Sequence, residues 1–232
     1  MVSAIIENVQ KGVNRQDNSY RPFVTLTYAQ SMDGSLSTQA GTRFQLSGPA
    51  SAKFTHQLRA SHDAILVGIG TVLADDPRLN VRLISGDNPQ PVVLDSSLRI
   101  PLHSKLIYEN DKRPWIFTKE DVNLEKAYIL EDGGCKIIRV STDNQGKLDL
   151  VEVARKLSDL KIRNVMVEGG SQVITNFYKA KLIDLLIITI APVIIGGLPS
   201  VKTGELTELV SLKRLNSTYI GRDLVLWGQI AS

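Results

Sequence analysis

Several things are scarce in this sequence, and each scarcity removes a class of protein. Cysteine occurs once, at Cys135, so no disulfide framework can form within the chain, and a reducing compartment, the cytoplasm, is the simple expectation. The flanks of Cys135 match no nucleophile signature, and a structural thiol is expected there. There are three histidines, His56, His62 and His103, with no i, i+4 pair and no H-E-x-x-H run. No metal site is expected. The longest aliphatic run, residues 185–195, is too short to cross a bilayer and contains Pro192; the N-terminus has no apolar signal core. Excess charge of one sign is small: 27 basic against 24 acidic residues leave +3, and the basic ones are scattered. Neither nucleic acid nor a membrane is therefore an expected partner, whereas a phosphorylated small molecule, which needs only two or three cations, stays open. Internal repeats, low-complexity stretches and linkers are also missing, as are G-x-G-x-x-G, the Walker pattern and the G-x-S-x-G elbow.

What is there reads as one α/β domain over residues 21–232, preceded by an N-terminal arm or helix over 1–20. Residues 23–28 (FVTLTY), 91–95, 114–118, 135–140, 164–167 and 223–228 are short runs of strand composition. The run 183–195 is almost unbroken aliphatic sequence, as expected of a central strand covered on both faces. Ser47-Gly48-Pro49 has the form of a helix start with a capping Ser. Ala50, Phe54 and Leu58 then give a helix over 49–60 whose opposite face carries Lys53, His56 and Arg59. Residues 148–160 and 172–180 are further helices, and 35–44 is a polar loop long enough to be functional.

Two glycine turns stand out. The first is in DAILVGIGTVLADDPRLNVR (63–82), where a buried strand meets Gly68 and Gly70 and Thr71 opens a short helix that stops at Asp75-Asp76-Pro77. The second, VMVEGGSQVITNF, places Gly169, Gly170 and Ser171 between a strand and the helix from Gln172. Strand, tight turn and helix start together present backbone N–H groups to a phosphate, and two such turns in one domain point to nucleotide binding. Glu168, at the strand edge, suits a neutral donor-rich group such as an aminopyrimidine or a ribose hydroxyl better than a phosphate. Asp33, in the turn after the first strand, is either a catalytic or binding acid or simply a D-G turn residue.

TYAQSMDG, LRASHDAILVGIGTVLADDPRLNVR, PVVLDSSLRIP, VMVEGGSQVITNF and APVIIGG follow in that order. Together they resemble the riboflavin-biosynthesis reductase family, from about Phe23 to Trp227. The resemblance implies a dihydrofolate-reductase-like α/β fold with a mostly parallel mixed sheet flanked by helices, NADPH as hydride donor and a homodimer. The implied substrate is 2,5-diamino-6-ribosylamino-4(3H)-pyrimidinone 5′-phosphate, whose ribosyl group becomes ribityl. No deaminase signature H-x-E…P-C-x-x-C occurs, which favours the fungal and archaeal order, reduction before deamination.

Matched position by position, the resemblance makes Thr71 and Asp75 cofactor contacts. Gly169, Gly170, Ser171 and Gln172 become the pyrophosphate turn, and Ser96 a further cofactor contact. Glu168, Leu79, Arg82 and Arg59 become substrate contacts, with the two arginines expected on the 5′-phosphate. Ala29 and Asp33 line the cleft. Bacterial members carry a Lys where this chain has Thr27, so that role does not transfer. The proton donor stays open among Asp33, Glu168 and water. Two rival readings are a true dihydrofolate reductase and a nucleotide-binding module that lacks the chemistry.

Overall fold

The computed structural model describes residues 2–15, 20–39, 41, 45–143 and 145–231. The chain begins with helix α1 (Val2–Arg15), strands β1 (Phe23–Ser31) and β2 (Ser35–Ser37), helix α2 (Pro49–Ala60), strand β3 (Ala64–Gly68) and helix α3 (Ile69–Asp75). It continues through β4 (Gln90–Leu94), α4 (Lys105–Tyr108), β5 (Trp115–Thr118), α5 (Leu124–Asp132), β6 (Lys136–Arg139) and α6 (Leu150–Asp159). It ends with β7 (Asn164–Glu168), α7 (Ser171–Lys179), β8 (Leu185–Ala191), β9 (Leu198–Pro199), β10 (Leu212–Ile220) and β11 (Asp223–Ile230). Part of the expected 35–44 loop, residues 40 and 42–44, lies outside the described residues. Its start is the short strand β2, which pairs with β9.

Nine strands form one sheet in the order β10-β11-β8-β1-β7-β3-β4-β5-β6. The seven from β8 to β6 are parallel, and β11 and β10 add an antiparallel edge. This is the mostly parallel mixed sheet that the sequence implies. Continuous apolar runs become inner strands because helices cover both faces, and all five residues of β3 are buried. On one face α6 and α7 bring Val153, Leu157, Val173 and Phe177 onto Val24, Leu26, Leu66 and Val167. On the other, α1 and α2 set Ile5, Val9, Phe54 and Leu58 against Met166, Ile187 and Trp227. Beside them α3, α4 and α5 cover Ile65, Val67, Val93 and Ile116. The alternation of Val24 and Leu26 with Phe23 between faces is the period-two geometry of a strand.

Two local expectations change. The residue before α2 is Gly48, and Ser47 does not cap the helix; the buried carboxylate of Asp223 does so from the far end of the chain, accepting from Gly48 N–H (2.8 Å) and Ser51 Oγ (2.6 Å). A carboxylate at a helix N-terminus both satisfies orphan N–H groups and opposes the helix dipole. The aliphatic run 183–195 is a strand only from Leu185 to Ala191, lying between β1 and β11.

Candidate active site

Parallel strands end together, so side chains at their carboxyl ends gather around one crevice. Register places Thr27 of β1 beside Glu168 of β7, and Ala29 of β1 beside Thr189 of β8. All four line a cavity of about 710 Å³. Its lining takes in both glycine turns and the segment after β4: Gly70, Thr71 and Asp75, Gly169 to Gln172, and Ser96. The two turns adjoin, Thr71 Oγ1 standing 3.6 Å from where a Cβ on Gly170 would lie.

The glycines differ in what they do. A Cβ on Gly68 would stand 2.6 Å from Val173 Cγ2, so this residue is small because α7 packs on the end of β3. Gly169 is likewise pressed against Val173, at 2.9 Å. A Cβ on Gly70 would meet nothing within 4 Å; it faces the open cavity. Helix α7 starts at Ser171 with Gly170 before it and no side-chain cap. Ser171 is 5% exposed, and its Oγ has no hydrogen-bond partner among the described residues. Uncapped N–H groups and a buried, unpartnered hydroxyl thus meet at one point on the cavity wall. Gln172 is held in place, donating to Asn176 Oδ1 (2.9 Å) and accepting from Lys202 Nζ (2.5 Å).

At the strand end Glu168 is gripped by a two-pronged ion pair. Arg59 Nε donates to Oε1 and Nη2 to Oε2, both at 2.8 Å. The two side chains are 10% and 21% exposed. The Arg59 pKa is raised: burial disfavours its charge, and the facing Glu168 outweighs that. Glu168 therefore presents carboxylate lone pairs to the cavity in a fixed direction.

The RibD C-terminal domain family model matches residues 22–226. The chain belongs to this family. One relative, the 2,5-diamino-6-ribosylamino-4(3H)-pyrimidinone 5′-phosphate reductase of Debaryomyces hansenii, is 38% identical over an alignment of 194 positions that covers 77% of this chain and 78% of that one. The enzyme of the same name from Methanothermobacter thermautotrophicus is 33% identical over 216 residues, 89% of this chain and 97% of that one. Riboflavin biosynthesis protein RibD of Aquifex aeolicus is 33% identical over 211 residues, and there the chain spans only 57% of the relative's length. Among solved structures, the Saccharomyces cerevisiae riboflavin biosynthesis reductase Rib7 aligns with a TM-score of 0.78 and 29% identity, over 98% of this chain and 99% of that one. Acinetobacter baumannii RibD aligns with a TM-score of 0.82 and 25% identity, over 97% of this chain and 62% of that one.

In this RibD C-terminal domain the cavity collects Thr71, Asp75, Ser96, Glu168, Gly169, Gly170, Ser171 and Gln172. Four of the remaining expected residues, Asp33, Arg59, Leu79 and Arg82, are not among those lining the cavity. The Asp33 carboxylate accepts from Ser31 and Ser35 Oγ and from the Ile195 and Gly196 N–H groups, at 2.5 to 3.1 Å, tying the β1–β2 turn to the segment after β8. Those hydrogen bonds, that of Ser31 first, hold its pKa well below the usual carboxylate range, so Asp33 has no proton to give at neutral pH. It is a structural clamp. Arg59 is committed to Glu168 and to Asn80 O (3.2 Å), not held out for a phosphate. Leu79 is 2% exposed, with its side chain in the cluster under α3 and α4, so that side chain lies in the core and not in the cavity lining. Arg82 is exposed; its backbone N–H donates to His56 Nδ1 (3.0 Å) and its Nη1 to Asn80 Oδ1 (3.2 Å). Residues not anticipated also line the cavity, notably Arg99, Lys147 and Lys202. Isolated basic residues in loops carry no periodic signal, and only the fold brings them to one place.

Cys135 is buried and free, and burial raises its thiol pKa to about 11. That is an inert core thiol.

Proposed function

We propose that this chain is an NADPH-dependent reductase of riboflavin biosynthesis, acting on 2,5-diamino-6-ribosylamino-4(3H)-pyrimidinone 5′-phosphate. The observation that carries the reading is one cavity lined both by the uncapped start of α7, suited to an anion, and by the carboxylate of Glu168 fixed by Arg59. It lies in a chain that belongs to the RibD C-terminal domain family.

The residues suit a dinucleotide. The uncapped start of α7 and the unpartnered Ser171 Oγ offer donors to a pyrophosphate, and Gly70 leaves room beside them. Thr71 supplies a hydroxyl beside Gly170, and Asp75 and Ser96 line the same cavity. When bound, NADPH supplies the hydride. The chain itself orients the substrate: Glu168, locked by Arg59, accepts from the amino groups of the pyrimidine, and Arg82 meets the 5′-phosphate. Arg59 thus serves the substrate indirectly, by fixing the carboxylate. Asp33 serves by tying the turn that follows β1, the strand whose Thr27 and Ala29 line the cavity, to the segment after β8.

Purified protein is expected to oxidise NADPH with the diamino ribosyl phosphate and not with dihydrofolate. Turnover of dihydrofolate alone sinks the reading, and NADPH binding without turnover of the phosphorylated pyrimidine makes the chain a binding module. The deaminated substrate in the same assay separates the two orders of the pathway, with the diamino compound expected to be preferred.

Residues 21–232 act as one reductase domain, with α1 docked on it through Ile5 and Val9. We also infer a homodimer. Leu209, Val210, Leu215 and Tyr219 are exposed around the β10 edge, where an apolar groove reaches Leu186 and Ile188. Light scattering of the purified protein tests this. A cytosolic setting fits the one buried, reduced thiol.

A further inference from the structure

The segment that carries Arg82 is held by side chains, not by strand pairing. Leu79 adopts a left-handed backbone (φ 56°) and buries its side chain. Asn80 O accepts from Arg59 Nη1 at 3.2 Å, and Val81 N–H donates to Asn88 Oδ1 at 2.7 Å. Arg82 N–H donates to His56 Nδ1 at 3.0 Å. Four successive residues are each fixed by a different contact. Two of the holders, His56 and Arg59, are one turn apart on α2, and Arg59 is the residue that grips Glu168.

We propose that His56 is a positioning residue for substrate binding: by accepting the Arg82 N–H at Nδ1, it sets where the Arg82 guanidinium meets the substrate phosphate. This rests on the reading of Arg82 as the phosphate contact.

The chemistry of the contact is specific. Nδ1 accepts only in the neutral ring with its proton on Nε2. His56 is 3% exposed and has Arg59 on its own helix, Arg82 on the facing segment and Glu168 at the end of β7. Burial first, then the two guanidinium groups, lower its pKa to about 4 against the opposing pull of Glu168. The acceptor therefore persists throughout the neutral range. A single uncharged imidazole between two arginines spares the loop a third positive charge and still meets its N–H.

The test uses His56→Leu, which keeps bulk and removes the acceptor, and His56→Asn, whose Oδ1 occupies the place of Nδ1. With the diamino ribosyl phosphate, His56→Leu is expected to raise KM roughly tenfold with kcat within about twofold, and His56→Asn to restore KM to within about threefold of the parent. In an Arg82→Ala background, His56→Leu should add nothing to KM. NADPH affinity, read by fluorescence titration, should stay unchanged. Multiplicative effects in the double variant, or an unchanged KM in His56→Leu while Arg82→Ala raises it, overturn the positioning role. An unchanged KM in Arg82→Ala overturns the phosphate role of Arg82 and the inference with it. Should His56→Leu not fold, nitrogen-15 NMR of the parent decides: a ring carrying its proton on Nδ1 at pH 7 refutes the contact.

Discussion

Replacing Arg59 with Met asks whether its guanidinium serves Glu168 or a ligand phosphate. The structure gives a magnitude. With side chains 10% and 21% exposed, the pair is largely buried, and removing one partner of a buried pair costs about 3–5 kcal/mol. Glu168 borders the cavity, where water can re-solvate it once unpaired, so the cost falls at or below the lower end of that range, about 2–3 kcal/mol. In a chain of 232 residues each kcal/mol shifts Tm by roughly 2–4 °C, so Arg59→Met should melt roughly 4–12 °C lower. Arg59→Lys keeps the charge and loses the fork, and should fall between the two. In a double-mutant cycle with Glu168→Gln, the second change should cost much less than the first. Scanning calorimetry reads the stability, and KM is measured for the phosphorylated substrate and its dephosphorylated form. The expected result is a large drop in Tm with KM raised alike for both. An unchanged Tm, with KM raised only for the phosphorylated form, would refute the reasoning and return Arg59 to the phosphate.

Three further outcomes follow from the geometry. Gly68→Ala should destabilise by about 1–3 kcal/mol through its collision with Val173, whereas Gly70→Ala should leave unfolding in urea unchanged and weaken NADPH binding; equal stability losses would contradict the assignment of one glycine to packing and one to the cavity. Ser171→Ala removes an unpartnered buried hydroxyl, so it should leave the ligand-free protein as stable or up to about 1 kcal/mol more so, yet reduce the Tm gain on adding NADPH; a destabilised ligand-free protein would mean that the hydroxyl already has a partner. Burial lowers His56 and His62 from 6.5 to about 4, so the unfolded chain takes up protons below pH 6.5 that the folded chain refuses until about pH 4. Stability should therefore fall as pH drops through that window, with His62→Gln flattening the slope; urea unfolding that is flat from pH 6.5 to 4.5 would show the histidines to be accessible.

Legibility in the sequence tracked how local the deciding contacts are. Helix α2 was readable over 49–60 because Pro49, Phe54 and Leu58 carry the signal within one turn or two. Its faces were not. The periodicity assigns His56 and Arg59 to solvent and Ala50 to the core, while the structure buries the first two and exposes the third, because α2 lies between the core and the cavity and its polar side serves the site. Strand β10 went unseen since most of its residues are exposed and a bulge between Lys213 and Asn216 breaks the alternation. The glycine turns and Glu168 were legible from composition and from family resemblance. The role of Asp33 was not, because its backbone partners at 195 and 196 lie over 160 residues away in sequence.

Strand β1 is the first strand of the chain, yet its two neighbours, β7 and β8, are the seventh and eighth. During synthesis an apolar strand emerges roughly 160 residues ahead of the last residue that pairs with it. At about 5–20 residues per second that is on the order of ten to thirty seconds with at least one of its edges open. Of the two registers at the cavity, Thr27–Glu168 waits for β7 and Ala29–Thr189 for β8. The cavity is thus completed late, and any nascent chain cut short of β8 carries every glycine of the two turns but lacks the β8 side of the cavity.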